Sequence, residues 1–322
     1  IEDRVSQAQS IVQNIDIDGS EGECESLASI LLEHCEELEA RHKRKSEGIL
    51  IDGLSTGIAD LDKKIGGIKR GKMIVLAGRP AMGKTTLAMN IAADVGINQK
   101  KKVLVVSLEM GKAELMDRLL AAVGNIPLNA IKDGTILDEY ASQLNVAAYK
   151  MKNSQIVVSD IPVMTMPRLR SVARRQKNRM GGLDMIVIDY LGLIEGEGNG
   201  RTEDVTTMSR QIKLLARELD CPVLVLAQLN RGCEQRPDKR PVLSDLRESG
   251  AIEQDADIAM FVYRDEVYHP DAGDNKGIAE VLIRKHRDGE IGTVKTLFQG
   301  SKSRFVDLSP EHIRDSYVDA GF

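Results

Sequence analysis

Residues Gly78 to Thr85 read Gly-Arg-Pro-Ala-Met-Gly-Lys-Thr, the full G-x-x-x-x-G-K-[ST] pattern, between an apolar strand-like run, Met73 to Ala77, and a helix-like run, Thr86 to Val95. Such a chain must set a strand, a tight glycine loop and a helix N-terminus in line, so that backbone N–H groups converge on one anion. The expectation is a nucleoside triphosphate site wrapped by Gly78, Arg79, Pro80, Ala81, Met82, Gly83, Lys84, Thr85 and Thr86. In it the Lys84 ammonium reaches the β/γ oxygens and the Thr85 hydroxyl is offered to Mg²⁺.

Around this loop the chain alternates. Short β-branched runs at Val103 to Leu108, Ile156 to Ser159, Met185 to Ile188 and Val223 to Ala227 are separated by helical patterns at Lys112 to Val123, Pro167 to Arg179 and Glu203 to Leu219. That order predicts an α/β fold with a mainly parallel sheet covered on both faces. Beyond Asp257 come strands without helices between them, at Ile258 to Tyr263, Ile278 to Lys285, Thr293 to Phe298 and Arg304 to Leu308, with a turn at Asp288-Gly289. An antiparallel hairpin is therefore expected to extend the sheet. Upstream, Cys24 to Lys45 spaces Cys24, Leu27, Leu31, Cys35 and Leu38 three or four apart, an amphipathic helix that either packs on its own domain or docks on a neighbour. The domain expectation is residues 1–48 as an N-terminal segment and helix, and 49–322 as the catalytic unit.

Composition narrows the class. In 322 residues, 42% hydrophobic, no apolar run approaches the ~18 residues of a membrane span. No charged-then-apolar signal segment opens the chain, so a cytoplasmic protein without membrane contact is expected. Cys24, Cys35, Cys221 and Cys233 form no C-x-x-C pair, which argues against zinc and for buried or idle thiols. A formal charge of −5, no Trp and four Phe exclude a broad basic or aromatic nucleic-acid surface. DNA contact, where it occurs, must be local.

In open α/β sheets the carboxyl ends of the strands line the ligand crevice. Four strands end here on the phosphate loop, Glu109, Asp189 and Gln228. Met185-Ile186-Val187-Ile188-Asp189 reads as a strand whose terminal carboxylate holds Mg²⁺ by way of water, while Thr85 coordinates it directly. Glu109 is suited to polarise an attacking water, and the Gln228 amide can sense a γ-phosphate.

These residues resemble the DnaB-type replicative DNA helicases. The likeness runs from about Gly53 to Leu308 and includes Leu54-Ser55-Thr56-Gly57, Ser107-Leu108-Glu109-Met110, Ile188-Asp189-Tyr190-Leu191, Leu226-Ala227-Gln228-Leu229-Asn230-Arg231, Ser244-Asp245-Leu246-Arg247-Glu248-Ser249-Gly250, Ile252-Glu253-Gln254-Asp255-Ala256-Asp257 and Tyr263-Arg264-Asp265-Glu266-Val267-Tyr268. General RecA-like ATPases share the phosphate loop but not the later strings. The resemblance implies a RecA-like fold, ATP and Mg²⁺, a homo-oligomeric hexameric ring around single-stranded DNA, 5′-to-3′ strand separation, and helicase loader and primase as possible partners. It implies DNA-backbone contacts at Arg231, Glu248 and Gly250, and assigns Lys285 and Arg287 as cations supplied in trans to a neighbour's nucleotide. Glu248 would make its contact through a backbone N–H. The family's amino-terminal collar has no counterpart here, the glycine-rich acidic loop Glu195 to Gly200 argues against DNA contact at its tip, and Lys285-His286-Arg287-Asp288-Gly289 departs from the usual Lys-Gln-Arg-Asn-Gly while keeping both cations. The rival readings are a RecA-like ATPase that does not unwind DNA and a scaffold that binds nucleotide without hydrolysing it.

Overall fold

A computed structural model describes residues 51–308 apart from 136–138, 197, 199, 247–249 and 270–274, together with nine residues between 27 and 46. Contacts divide the chain into two units, Ile1–Leu50 and Ile51–Phe322. In the first, the described residues Leu27, Leu31, His34, Cys35, Leu38, Glu39, His42, Lys43 and Ser46 are helical. Leu27, Leu31 and Leu38 are exposed. Cys24 lies outside the described residues.

The second unit is built on one sheet. Its strands are β1 (Met73–Gly78), β2 (Val103–Ser107), β3 (Ile156–Ser159), β5 (Met185–Asp189), β7 (Val223–Gln228), β8 (Ile258–Tyr263), β9 (Ile278–His286), β10 (Gly292–Gln299) and β11 (Arg304–Asp307). They lie in the order β11-β10-β9-β8-β1-β7-β5-β2-β3. A separate parallel pair, β4 (Met164–Thr165) with β6 (Ile194–Glu195), stands apart. From β8 to β3 the neighbours run parallel, and β9 to β11 continue the sheet antiparallel. The expected architecture is present. β8, which the sequence placed only at the start of a helix-free run, belongs to the parallel part: the short helix Gly250–Asp255 precedes it, and it pairs with β1 as Gly78↔Val262.

Buried parallel strands have two apolar faces, and alternation along β1 shows both. Met73, Val75 and Ala77 meet Leu169 and Val172 of the helix Met166–Met180 and Ile212 and Leu215 of the helix Arg201–Glu218. Ile74 and Leu76 face the opposite layer, with Leu61 of the helix Ala59–Ile65, Leu87 and Ile91 of the helix Lys84–Ala93 and Leu115 of the helix Lys112–Gly124. Each such side chain contributes about 1.5–3 kcal/mol on burial. The two layers together fix the strand ends that the site uses. Among the described residues no helix is long and apolar enough to cross a membrane.

Candidate functional site

The phosphate loop leaves β1 at Gly78 and enters its helix at Lys84, with Gly83 at φ 93°. A Cβ on Gly83 would lie 2.9 Å from Phe305 Cζ, so both conformation and space require glycine. Around the loop is a cavity of about 530 Å³, lined among others by Lys84, Thr85, Glu109, Arg118, Gln228 and Phe298. Register explains the convergence: Gly78 pairs with Gln228 and Ser107 with Asp189, and since Ile188 pairs with Val225 the second pair of strand ends lies about two residues short of the first, on the same edge of the sheet.

Asp189 is almost wholly buried. Its Oδ2 accepts from Thr85 Oγ1 at 2.8 Å, whereas its Oδ1 is buried without a hydrogen-bond partner among the described residues. Burial raises the Asp189 carboxyl above the usual carboxylate range, against the opposing charge of Lys84 and the Thr85 bond. Lys84 is held below the ordinary lysine range, again chiefly by burial, with Asp189 and then Glu109 opposing. Its Nζ stands 4.9 Å from the centre of the Tyr190 ring. A half-satisfied buried carboxylate beside a threonine hydroxyl is a donor set suited to a small divalent cation with oxygen ligands. Glu109 is exposed and makes no hydrogen bond to another described residue, yet it lies near enough to act on both Lys84 and Asp189.

Arg79 keeps its backbone in the loop while its side chain is held by neighbours, donating from Nε to Glu234 at 2.7 Å and from NH1 to the Leu229 carbonyl at 2.9 Å. Sequence reasoning missed Arg118 and Phe298. The Arg118 guanidinium donates to Glu114 at 2.9 Å and keeps a buried Nε without a partner among the described residues, and Phe298 arrives from the distant β10. The first could have been suspected from its place nine residues after Glu109 on an amphipathic helix; the second carries no local signal.

Away from the cavity, Arg231 is exposed at the start of a 3-10 turn and forms no ion pair with another described residue. The neighbouring cations are not equally free. Arg236 is engaged bidentately by Asp245, at 2.7 and 2.6 Å, and Arg240 by Glu280, at 2.7 and 2.8 Å. Lys239 sits over the Tyr268 ring. Glu248, like Arg247, lies outside the described residues. Gly250 opens its helix with open space where a Cβ would be, so its own chain imposes no need for glycine.

Lys285 and Arg287 do not line the cavity of their own chain. Lys285 Nζ donates to the Glu253 and Gln254 carbonyls, and Arg287 donates to the Gln254 carbonyl, at the end of the helix Gly250–Asp255. Arg287 also stands 3.9 Å from Asp257.

A profile of the family described as DnaB-like helicase C terminal domain matches residues 53–307. The replicative DNA helicase DnaC of Bacillus subtilis (strain 168) is 40% identical over 311 residues, 96% of this chain and 67% of that protein. The replicative DNA helicase DnaB of Geobacillus stearothermophilus is 42% identical over 290 residues, 89% of this chain and 63% of that protein. For DnaB of Haemophilus influenzae (strain ATCC 51907 / DSM 11121 / KW20 / Rd) the figures are 46% over 275 residues, 83% and 58%. The chain thus spans 58 to 67% of these relatives. Among solved structures, one described as an ATPase domain superposes with a TM-score of 0.83 at 38% identity, covering 89% of this chain and all of that one. A DnaB-like replicative helicase described with its interactions with primase also gives 0.83, at 37% identity, covering 95% of this chain and 71% of that one.

Proposed function

The chain belongs to the DnaB-like helicase C-terminal domain family, and on that premise we propose that it is the motor part of a replicative DNA helicase. It hydrolyses ATP and uses the cycle to translocate 5′-to-3′ on single-stranded DNA as a hexameric ring. Residues 1–48 supply the linker helix and 49–322 the ATPase domain. The exposed leucines Leu27, Leu31 and Leu38 fit a helix that seats on a neighbouring copy. The same reading places the protein in the cytoplasm with its DNA, and makes loader and primase partners of the whole protein.

One observation carries the reading above all: the half-satisfied, buried carboxylate of Asp189 stands behind Thr85 and near Lys84, two residues that line a cavity together with Glu109 and Gln228. In ATP hydrolysis water attacks the γ-phosphorus as the bond to the β-phosphate oxygen breaks. Glu109, exposed to the cavity, takes the proton of that water. Lys84 offsets charge on the β/γ oxygens, and the backbone of Gly78 to Thr86 cradles the phosphates. A magnesium ion, when bound, neutralises developing phosphate charge; Thr85 and Asp189 are the residues that would hold it. Gln228, level with Gly78, reads whether the γ-phosphate is present.

Lys285 and Arg287 are not among the residues that line the cavity of their own chain, which supports their acting on a neighbour's nucleotide, as an arginine finger does. For DNA, Arg231 has no ion-pair partner among the described residues, and the open space at Gly250 suits close approach of a phosphate to its backbone. ATP turnover measured with and without single-stranded DNA, alongside unwinding of forks tailed at either end, tests the proposal. Stimulation by DNA and unwinding from 5′ tails are expected. Turnover indifferent to DNA would leave an ATPase of another kind.

A further inference from the structure

The phosphate loop contains a conformation that the loop itself does not explain. Ala81, at its apex, has φ 65°, a region non-glycine residues seldom adopt. Its carbonyl points outward to Arg264, whose NH1 donates to it at 2.9 Å. Because the carbonyl of one residue and the N–H of the next belong to one planar peptide and point in opposite senses, holding the Ala81 oxygen outward turns the Met82 N–H into the concave side of the loop. There the N–H makes only a 3.3 Å contact with the Arg79 carbonyl, so it is poised for a better acceptor.

Arg264 is itself fixed from three sides. Glu266 accepts from its Nε at 2.9 Å and from its NH2, and the same Glu266 carboxylate accepts from the Gly277 backbone N–H at 2.8 Å. Below, the guanidinium carbon lies 4.0 Å from the centre of the Phe298 ring. Phe298 packs at 4.8 Å on Phe305, the ring that occupies the space beside Gly83. Phe305 is tied to the phosphate-loop helix, its N–H donating to Asn90 at 2.7 Å. The end of β8 and the antiparallel extension thus form a brace under the loop, running from Glu266 through Arg264 and Phe298 to Gly83.

We propose that Arg264 is a positioning residue for nucleotide binding: it sets the peptide between Ala81 and Met82 so that the loop presents its N–H groups to the β-phosphate before nucleotide arrives. Preorganised donors of this kind lower the cost of binding an anion. The inference rests on the nucleotide site described above. It assigns Arg264 no contact with the nucleotide, and none is needed.

The test is binding of a fluorescent ADP analogue with Mg²⁺ to the full chain, with ATP turnover and Tm measured in parallel. Wild type that fails to bind would overturn the nucleotide site itself, whereas the ratio of variant to wild type tests the brace. Arg264→Met should weaken binding about tenfold and raise KM, with kcat at saturation largely retained. Arg264→Lys, which can still donate to the Ala81 carbonyl, should recover part of the affinity. Glu266→Gln, which keeps Arg264 but loosens it, should weaken binding about threefold in a protein of near-normal Tm. Unchanged affinity in folded Arg264→Met overturns the proposal. If that variant does not fold, unchanged affinity in Glu266→Gln of near-normal Tm overturns it instead.

Discussion

Thr85 Oγ1 donates to Asp189 Oδ2 across 2.8 Å, and the other oxygen of that buried carboxylate has no hydrogen-bond partner among the described residues. The two residues are joined by fold rather than sequence, since Thr85 lies in the first turn of the helix that follows β1 and Asp189 ends β5, with β7 between the two strands. Leaving a buried polar atom unpaired costs about 1–3 kcal/mol, and a cation supplied with the nucleotide is the natural compensation. Chemistry at this point can be divided among residues.

Lys84→Ala should lose both nucleotide affinity and turnover, because the charge facing the phosphates is gone. Glu109→Gln should still bind ATP but hydrolyse it at least a hundredfold more slowly, since an amide of similar shape cannot take a proton. Equilibrium binding and single-turnover hydrolysis separate the two. Near-normal turnover in Glu109→Gln would remove it from the role of base.

Arg231 is the exposed cation of its loop without a charge partner among the described residues, whereas Arg236 and Arg240 are consumed by Asp245 and Glu280. Arg231→Ala should weaken single-strand binding about equally for all sequences and reduce the salt slope by roughly one unit. ATP turnover without DNA should survive. Titrations at several salt concentrations check this, and an unaltered slope would show that Arg231 faces elsewhere.

Much of this was legible beforehand. Buried parallel strands advertise themselves as apolar runs, so β1, β2, β5 and β7 could be placed within a residue or so, and their terminal residues with them. Strand order was not legible: β1 lies between β7 and β8, pairings more than a hundred residues away that no local pattern encodes. Phe298 reaches the cavity, and the Arg79 side chain is drawn to Glu234 and Leu229, for the same reason. The helix Ala141–Lys152 escaped notice because its apolar stripe, Leu144, Ala147, Ala148 and Met151, is built half of alanine and buries only Ala147 fully. Glu248 lies outside the described residues.

Asp257 belongs to a string singled out for its resemblance, and its place in the fold is structural. It is 3% exposed, accepts from Lys213 at 2.5 Å and from the Met73 N–H at 2.8 Å, and so ties the root of β1 to that of β8. Asp257→Ala leaves Lys213 with a buried unpaired charge and should cost ~3–5 kcal/mol, read by denaturant unfolding. A loss under about 1 kcal/mol would show that the lysine finds water.

His286 replaces the usual glutamine between the two hairpin cations. Burial lowers its pKa from 6.5, with Asp288 opposing and Lys69 and Lys72 adding to the fall. The sign follows directly: below pH 6.5 the unfolded chain takes up a proton that the folded one resists, so the contribution present above that pH is lost as pH falls through the folded value. Thermal unfolding at about pH 7.5 and about pH 5.5, on either side of the ordinary histidine value, should show wild type losing more stability than His286→Gln. Equal losses would contradict the assignment.

On the proposed function, the catalytic centre is shared between copies. Lys285 and Arg287 donate to their own Glu253 and Gln254 carbonyls and do not line their own cavity, which fits cations that serve a neighbour. The direct measurement is ATP turnover of Arg287→Ala, of Lys84→Ala and of their mixture after verified subunit exchange. Each alone should hydrolyse poorly. The mixture should regain turnover, because some interfaces then pair an intact phosphate loop with an intact cation. If subunits exchange and no activity returns, the shared centre is wrong.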